Sequence, residues 1–167
     1  TPLSDLALIP FPIRELFQEK IRSFDLIILD GFQNSNILPE EYLTNIADYV
    51  RNGGGLLLTA GPEFVKDGTL QDTPLSQVFP AHVPENGVMV QAFRPTLTAL
   101  GKTHPVTAGL NTDWGPWYRA LPVDQSHGED LMHGPDGSPL LLLAHVPHGR
   151  GALLLPHQSW LWSLRLG

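Results

Sequence analysis

Between Phe24 and Phe64 the hydrophobic and polar positions fall into three successive blocks. Leu26-Ile27-Ile28-Leu29 is continuously apolar rather than alternating, the pattern of a parallel strand covered on both faces. Pro39 then opens a stretch in which Tyr42, Leu43, Ile46, Ala47, Tyr49 and Val50 recur at helical spacing, with Glu40 and Glu41 suited to the positive helix start. Asn52-Gly53 ends that helix, and Leu56-Leu57-Leu58 resumes the sheet. The strand closes on a sharp turn, Thr59-Ala60-Gly61-Pro62. Upstream, Leu6-Ala7-Leu8-Ile9 predicts a first strand, and Ile13, Leu16, Phe17, Ile21 and Phe24 predict a helix. Strands and helices alternating at this distance imply right-handed βαβ crossovers and a parallel sheet.

The second half has a different texture. From Gln71 to Pro122 the chain is rich in Pro, Gly, Thr and aromatic residues, with a strand predicted at Val88–Phe93. Glu129–His133, Pro139–His145 and Ala152–Pro156 follow, separated by Gly134-Pro135-Asp136-Gly137 and His148-Gly149-Arg150-Gly151. Both separators are turn sequences, so these runs predict an antiparallel meander at the sheet edge. With no internal repeat, residues 1–167 are expected to form a single domain, large enough to bury roughly 70% of its unfolded surface.

Composition narrows the possible chemistry. Seventeen acidic residues against ten basic ones, with no Lys/Arg cluster, argue against a nucleic-acid partner. The absence of cysteine excludes disulfides, thiolate metal sites and a thiol nucleophile. The longest apolar run, Leu140 to Ala144, falls far short of the ~20 residues of a membrane span. The chain begins at Thr1 and stops just after Trp160-Leu161-Trp162, which suggests a domain excised from a longer polypeptide.

The turn after Leu58 is where an α/β enzyme would present a nucleophile, beside backbone N–H donors at a strand end. Its apex is Ala60, or Thr59 with the register moved by one, and no sequence feature supplies a base for a threonine hydroxyl. Gly61, just before Pro62, is expected to take a backbone shape that a Cβ would resist. Gly53-Gly54-Gly55 precedes a strand instead of opening a helix, so it reads as a helix stop and not a phosphate loop. Seven histidines are present without an HExxH, and His145-x-x-His148 spans a strand end and a turn, so no metal or cofactor is expected. His157 follows the last apolar strand, Asp30 ends an earlier one, and Glu63 follows the turn, so together with Ala60 and Gly61 they are expected to line one ligand-binding cleft. Trp114, Trp117, Tyr118, Trp160 and Trp162 offer an aromatic platform or packing over the sheet.

FDLIILDG, LPEEYLTNIADYVRNGGGLLLTAGPEF, the TPL at Thr73–Leu75, HPVTAGL at His104–Leu110 and GRGALLLPHQSWLW at Gly149–Trp162 form an ordered series covering nearly the whole chain. The series resembles the class I glutamine amidotransferase-like domain of large bacterial membrane proteins. That resemblance implies an α/β fold, a flavodoxin-like three-layer sandwich with a mainly parallel sheet, and transmembrane helices elsewhere in a parent chain. It also implies a catalytic Cys where Ala60 stands and a family histidine near His157, followed by a Pro-Glu that Gln158-Ser159 does not match. Glutaminase activity is therefore not carried over.

The expectation is a non-catalytic module that binds a small molecule or protein. It would belong to a membrane-anchored bacterial protein, on the periplasmic side of the inner membrane, and adjoin other domains of the same chain. The rival expectation is a hydrolase or transferase acting through Thr59, Glu63 or His157, and a third is a structural spacer.

Overall fold

The computed structural model describes residues 12–32, 38–65, 69–85, 87–124 and 126–155. The strand expected at Leu6–Ile9 lies outside them. Eight strands are described: β1 (Leu26–Asp30), β2 (Gly55–Thr59), β3 (Met89–Phe93), β4 (Thr96–Leu97), β5 (Trp117–Ala120), β6 (Glu129–His133), β7 (Pro139–Leu143) and β8 (Arg150–Leu154). Six form one sheet in the order β1-β2-β8-β7-β6-β4, while β3 and β5 make a separate antiparallel pair.

The sheet corrects the expected flavodoxin-like sandwich. Only β1, β2 and β8 run parallel, and the joints β8–β7, β7–β6 and β6–β4 are antiparallel. Helices are few: α1 (Glu40–Arg51) and the five-residue α2 (Ala99–Thr103), with a π-helical turn at Glu15–Glu19 and short 3₁₀ turns elsewhere. The reason is local. Pro62, Pro74 and Pro135 each sit in a 3₁₀ turn, and α2 stops at His104, which is extended (φ −71°, ψ 135°) before Pro105. A proline restricts the residue before it and cannot continue a helix, so the segment between β2 and β8 folds as short turns and the five strands β3 to β7, with no crossover helix longer than α2 among its described residues. No helix among the described residues is long and apolar enough to cross a membrane.

α1 buries Leu43, Ile46, Ala47 and Val50, a stripe at helical spacing that faces the sheet. Its end is a Schellman motif: Gly54 N–H donates to Tyr49 O at 2.9 Å and Gly53 N–H to Val50 O at 3.1 Å. Gly53 takes the left-handed φ of 113° that this cap requires.

The side chains of β7 and β8 divide between two cores. Leu142 and Leu153 join α1, β1 and β2 in one cluster; Leu141, Leu143 and Leu154 join Phe93, Trp117 and Met132 in the other. These central strands are covered on both faces. β1, at the edge of the sheet among the described residues, is covered on one face: Ile27 and Leu29 are buried, whereas Leu26 and Ile28 are 54% and 55% exposed.

Trp117 belongs to the second core and is no platform. It stacks at 5.6 Å on Trp114 and edge-on at 6.2 Å to Phe93. Its Nε1 is buried without a partner, as is Oδ1 of Asp130 on β6. Burial raises the Asp130 carboxyl above the ordinary aspartate value, and His133 partly opposes the shift. A raised acid is harder to ionise in the fold than in the unfolded chain, so stability is lost as pH climbs from the unfolded value through the folded one. Asp130→Asn is therefore expected to stabilise the domain at neutral pH and to remove the loss of stability that follows as pH rises above the ordinary aspartate value, by urea unfolding.

Candidate functional site

β1 and β2 end side by side, with Asp30 directly opposite Thr59. The Thr59 hydroxyl donates to Asp30 Oδ1 and accepts the Gly31 N–H at 2.9 Å. The same N–H also reaches the Thr59 carbonyl at 3.3 Å. Gly31 adopts φ 54°, the left-handed shape that turns its amide back across the strand ends. Thr59 is half-buried and its hydroxyl is engaged both as donor and as acceptor.

The turn beyond β2 is a different object from an exposed nucleophile elbow. Ala60 is 2% exposed, packs in the first core and donates its N–H to Leu154 O at 2.9 Å. Gly61 is buried, and its carbonyl accepts the Phe64 N–H at 2.9 Å, which starts the 3₁₀ turn Pro62–Val65 containing Glu63. His157, Trp160 and Trp162 lie outside the described residues. Of the expected cleft residues, the structure thus brings Asp30, Ala60 and Gly61 to adjacent strand ends, with Glu63 following in the turn. Because Ala60 points inward, Ala60→Ser would bury a hydroxyl in an apolar core, with an expected cost of about 1–2 kcal/mol by urea unfolding.

A hollow lies at the opposite end of these strands. A groove of about 660 Å³ runs between α1 and the turns preceding β1, with Gly53 and Gly54 at its end. Glu41, Asn45, Asp48 and Asn52 line it from α1, at intervals of four, three and four residues that place them on one helix face. Gln18, Arg22 and Asp25 line the other bank. Two hydrogen bonds fix the gap between the banks: Tyr49 Oη donates to Phe24 O at 2.8 Å, and Asn45 Nδ2 to Phe17 O at 3.1 Å. Arg51 pairs with Asp48 at 2.9 Å. The polar spacing along α1 is the sequence signal for this groove, since the apolar stripe accounts for only one side of the helix.

The histidines are dispersed. His82 Nδ1 meets Asp124 Oδ1 at 2.7 Å. His104 Nδ1 accepts the Val106 N–H at 3.2 Å, which leaves Nε2 to carry its proton 3.7 Å from Glu129. No group of three or more His, Asp or Glu side chains able to hold a metal ion occurs among the described residues.

No family model matches this chain, and no curated protein does. Solved structures do resemble it. The cytoplasmic protein STM3548 of Salmonella typhimurium superposes with a TM-score of 0.69 at 20% identity, over 94% of this chain and 69% of that one. The cytoplasmic protein STM1381 of Salmonella typhimurium LT2 gives 0.66 at 22% identity, over 83% of this chain and 63% of that one. A cold-adapted β-galactosidase of Rahnella sp. R3 gives 0.58 at 14% identity, over 83% of this chain but 21% of the enzyme. At these identities the likeness is one of fold alone.

The comparisons correct two expectations. None of these three structures is named as a glutamine amidotransferase, and no family model supports that resemblance, so it is withdrawn. The segments that suggested it record the order of strands, helix and turns, which chains of different function share. The setting in a periplasmic, membrane-anchored protein falls with it: two of the similar structures are named as cytoplasmic proteins, and no described helix is a membrane span.

Proposed function

We propose that this domain is a non-catalytic recognition module that binds a small polar molecule in the groove beside α1. The groove carries the reading. Its volume lies within the range of roughly 300–1,000 Å³ common to small-molecule sites, and its two banks are tied together by the Tyr49 and Asn45 hydrogen bonds. Asp25, Glu41 and Asp48 are acceptors only, while Gln18, Asn45 and Asn52 both donate and accept. That lining suits a ligand rich in hydroxyl or ammonium donors. Chemistry at the strand ends is disfavoured: the Thr59 hydroxyl has two partners, Ala60 presents a buried methyl, and the chain has no thiol.

The test is a thermal-shift screen with polyols, monosaccharides, amino acids and polyamines. A compound that raises the melting temperature of the native chain is then applied to Arg22→Ala and Glu41→Ala, both at exposed positions on the groove banks, and to Thr59→Val at the strand ends. The expected result is a shift lost in the two groove variants and kept in Thr59→Val. A shift that survives both groove variants, or a panel with no stabilising compound, contradicts the reading.

A further inference from the structure

The side of β1 that faces away from β2 is an open strand edge. β1 ends the six-stranded sheet among the described residues, and its register against β2 runs unbroken from Leu26 to Asp30. Gly31 N–H points toward β2, where it meets Thr59 Oγ1 at 2.9 Å. In a trans peptide the carbonyl points opposite to the N–H that follows it, so Asp30 C=O faces away from β2. Successive residues of a parallel strand turn their backbone groups to opposite sides, so Ile28 and Leu26 present theirs to the same open edge.

The strand carries no guard against pairing. Edge strands are commonly protected by lysine, proline or a bulge, and Leu26-Ile27-Ile28-Leu29-Asp30 has none of these. One face of the edge is apolar as well: Leu26 and Ile28 are exposed, and Leu57 of β2, opposite Ile28 in register, is only half-buried. Carboxylates bracket it. Asp25 and Asp30 stand exposed at its two ends, with no lysine or arginine between them. A second copy docking about a two-fold axis would set β1 antiparallel to itself, with Asp25 of each copy beside Asp30 of the other. Like charges oppose that arrangement, whereas a strand with cations at both ends is attracted at both.

We propose that the β1 edge docks an extended segment of a partner protein, a run of about seven residues that alternates apolar and polar and carries Lys or Arg at both ends. Its backbone bonds to the outward N–H and C=O groups of Leu26, Ile28 and Asp30 and adds a strand to the sheet. Its apolar side chains meet Leu26 and Ile28, and its basic ends meet Asp25 and Asp30. Of these residues only Asp25 also lines the groove beside α1, so the edge stands or falls independently of the small-molecule reading when it is tested through Ile28.

The probe is the dye-labelled, C-terminally amidated peptide KTVTVTK, followed by fluorescence anisotropy against the full 167-residue chain. The expected result is saturable binding, weakened at least tenfold by Ile28→Lys and lost when glutamate replaces both peptide lysines. Val90→Lys, the same change of charge at an exposed site on the separate β3–β5 pair, is expected to leave binding as it is. Two further peptides read the pairing without any protein variant. N-methylation of the alternate residues whose amides face β1 abolishes binding, and N-methylation of the other set, whose amides face solvent, leaves it. No binding of KTVTVTK, equal binding of the glutamate peptide, the same outcome for both methylated sets, or undiminished binding by a folded Ile28→Lys overturns the proposal. So does binding that appears only once residues 1–11 are removed, or self-association of the chain that Ile28→Lys abolishes, since either gives the edge to another occupant.

Discussion

Gly149→Ala is expected to remove about 3 kcal/mol or more of stability, a large share of the roughly 5–15 kcal/mol that holds a domain together. A Cβ built on Gly149 would lie 1.7 Å from the Val50 carbonyl oxygen and 2.9 Å from Gly54 O. Both are backbone atoms, fixed by the end of α1 and the start of β2, so no side chain can swing aside. The loop before β8 can follow this path only because the next amide, Arg150 N–H, donates to Gly54 O at 3.1 Å and draws the chain onto the helix cap. Gly109→Ala is the control. Gly109 has φ 84° with no atom near a Cβ, so it carries only the strain of a left-handed residue, about 1–2 kcal/mol. Urea unfolding of both variants decides the point; equal losses would show that the 149 loop does not abut α1 as described.

Leu153→Ala follows, with an expected loss of about 2–5 kcal/mol. Leu153 is fully buried on β8, flanked in register by Leu58 on β2 and Leu142 on β7, with Ile46 and Val50 of α1 in the same core. Removing its side chain leaves a void in the core between the sheet and α1. Ile28→Ala, at a 55%-exposed position of the edge strand, is expected to change stability by less than about 0.5 kcal/mol. Comparable losses at the two positions would mean that β1 is covered and that the strand order is not the one described.

These contrasts show what the sequence made legible. The unbroken run Leu26–Leu29 announces a strand, but continuous hydrophobicity does not say whether the strand is central or at an edge. Leu26 and Ile28 look like core residues until the strand order is known. α1 was readable to its cap, because a periodic stripe, an acidic first turn and Asn52-Gly53 are local signals. What failed was the step from local blocks to a sandwich. β2 and β8 are adjacent and parallel yet lie some ninety residues apart in the chain, and nothing within either strand records that pairing.

The candidate sites follow the same rule. Asp30 and Thr59 could be placed at strand ends, because that position depends only on where each strand stops. The inward turn of Ala60 was not legible, since it depends on the 3₁₀ turn after Gly61. The groove could have been suspected from Glu41, Asn45, Asp48 and Asn52, although its second bank comes from a turn whose packing no spacing predicts. His82 and Asp124 are forty-two residues apart, and their side chains meet because a backbone bridge joins their loops.

The most direct test of the account is a ¹H–¹⁵N correlation spectrum of the labelled chain, titrated with the compounds that stabilise it in the thermal screen. Shifted amides are expected to cluster in residues 18–25 and 41–54, along the two banks of the groove, while Gly31, Thr59 and Gly61 stay in place. Shifts concentrated at those three strand-end residues, with the groove silent, would contradict it.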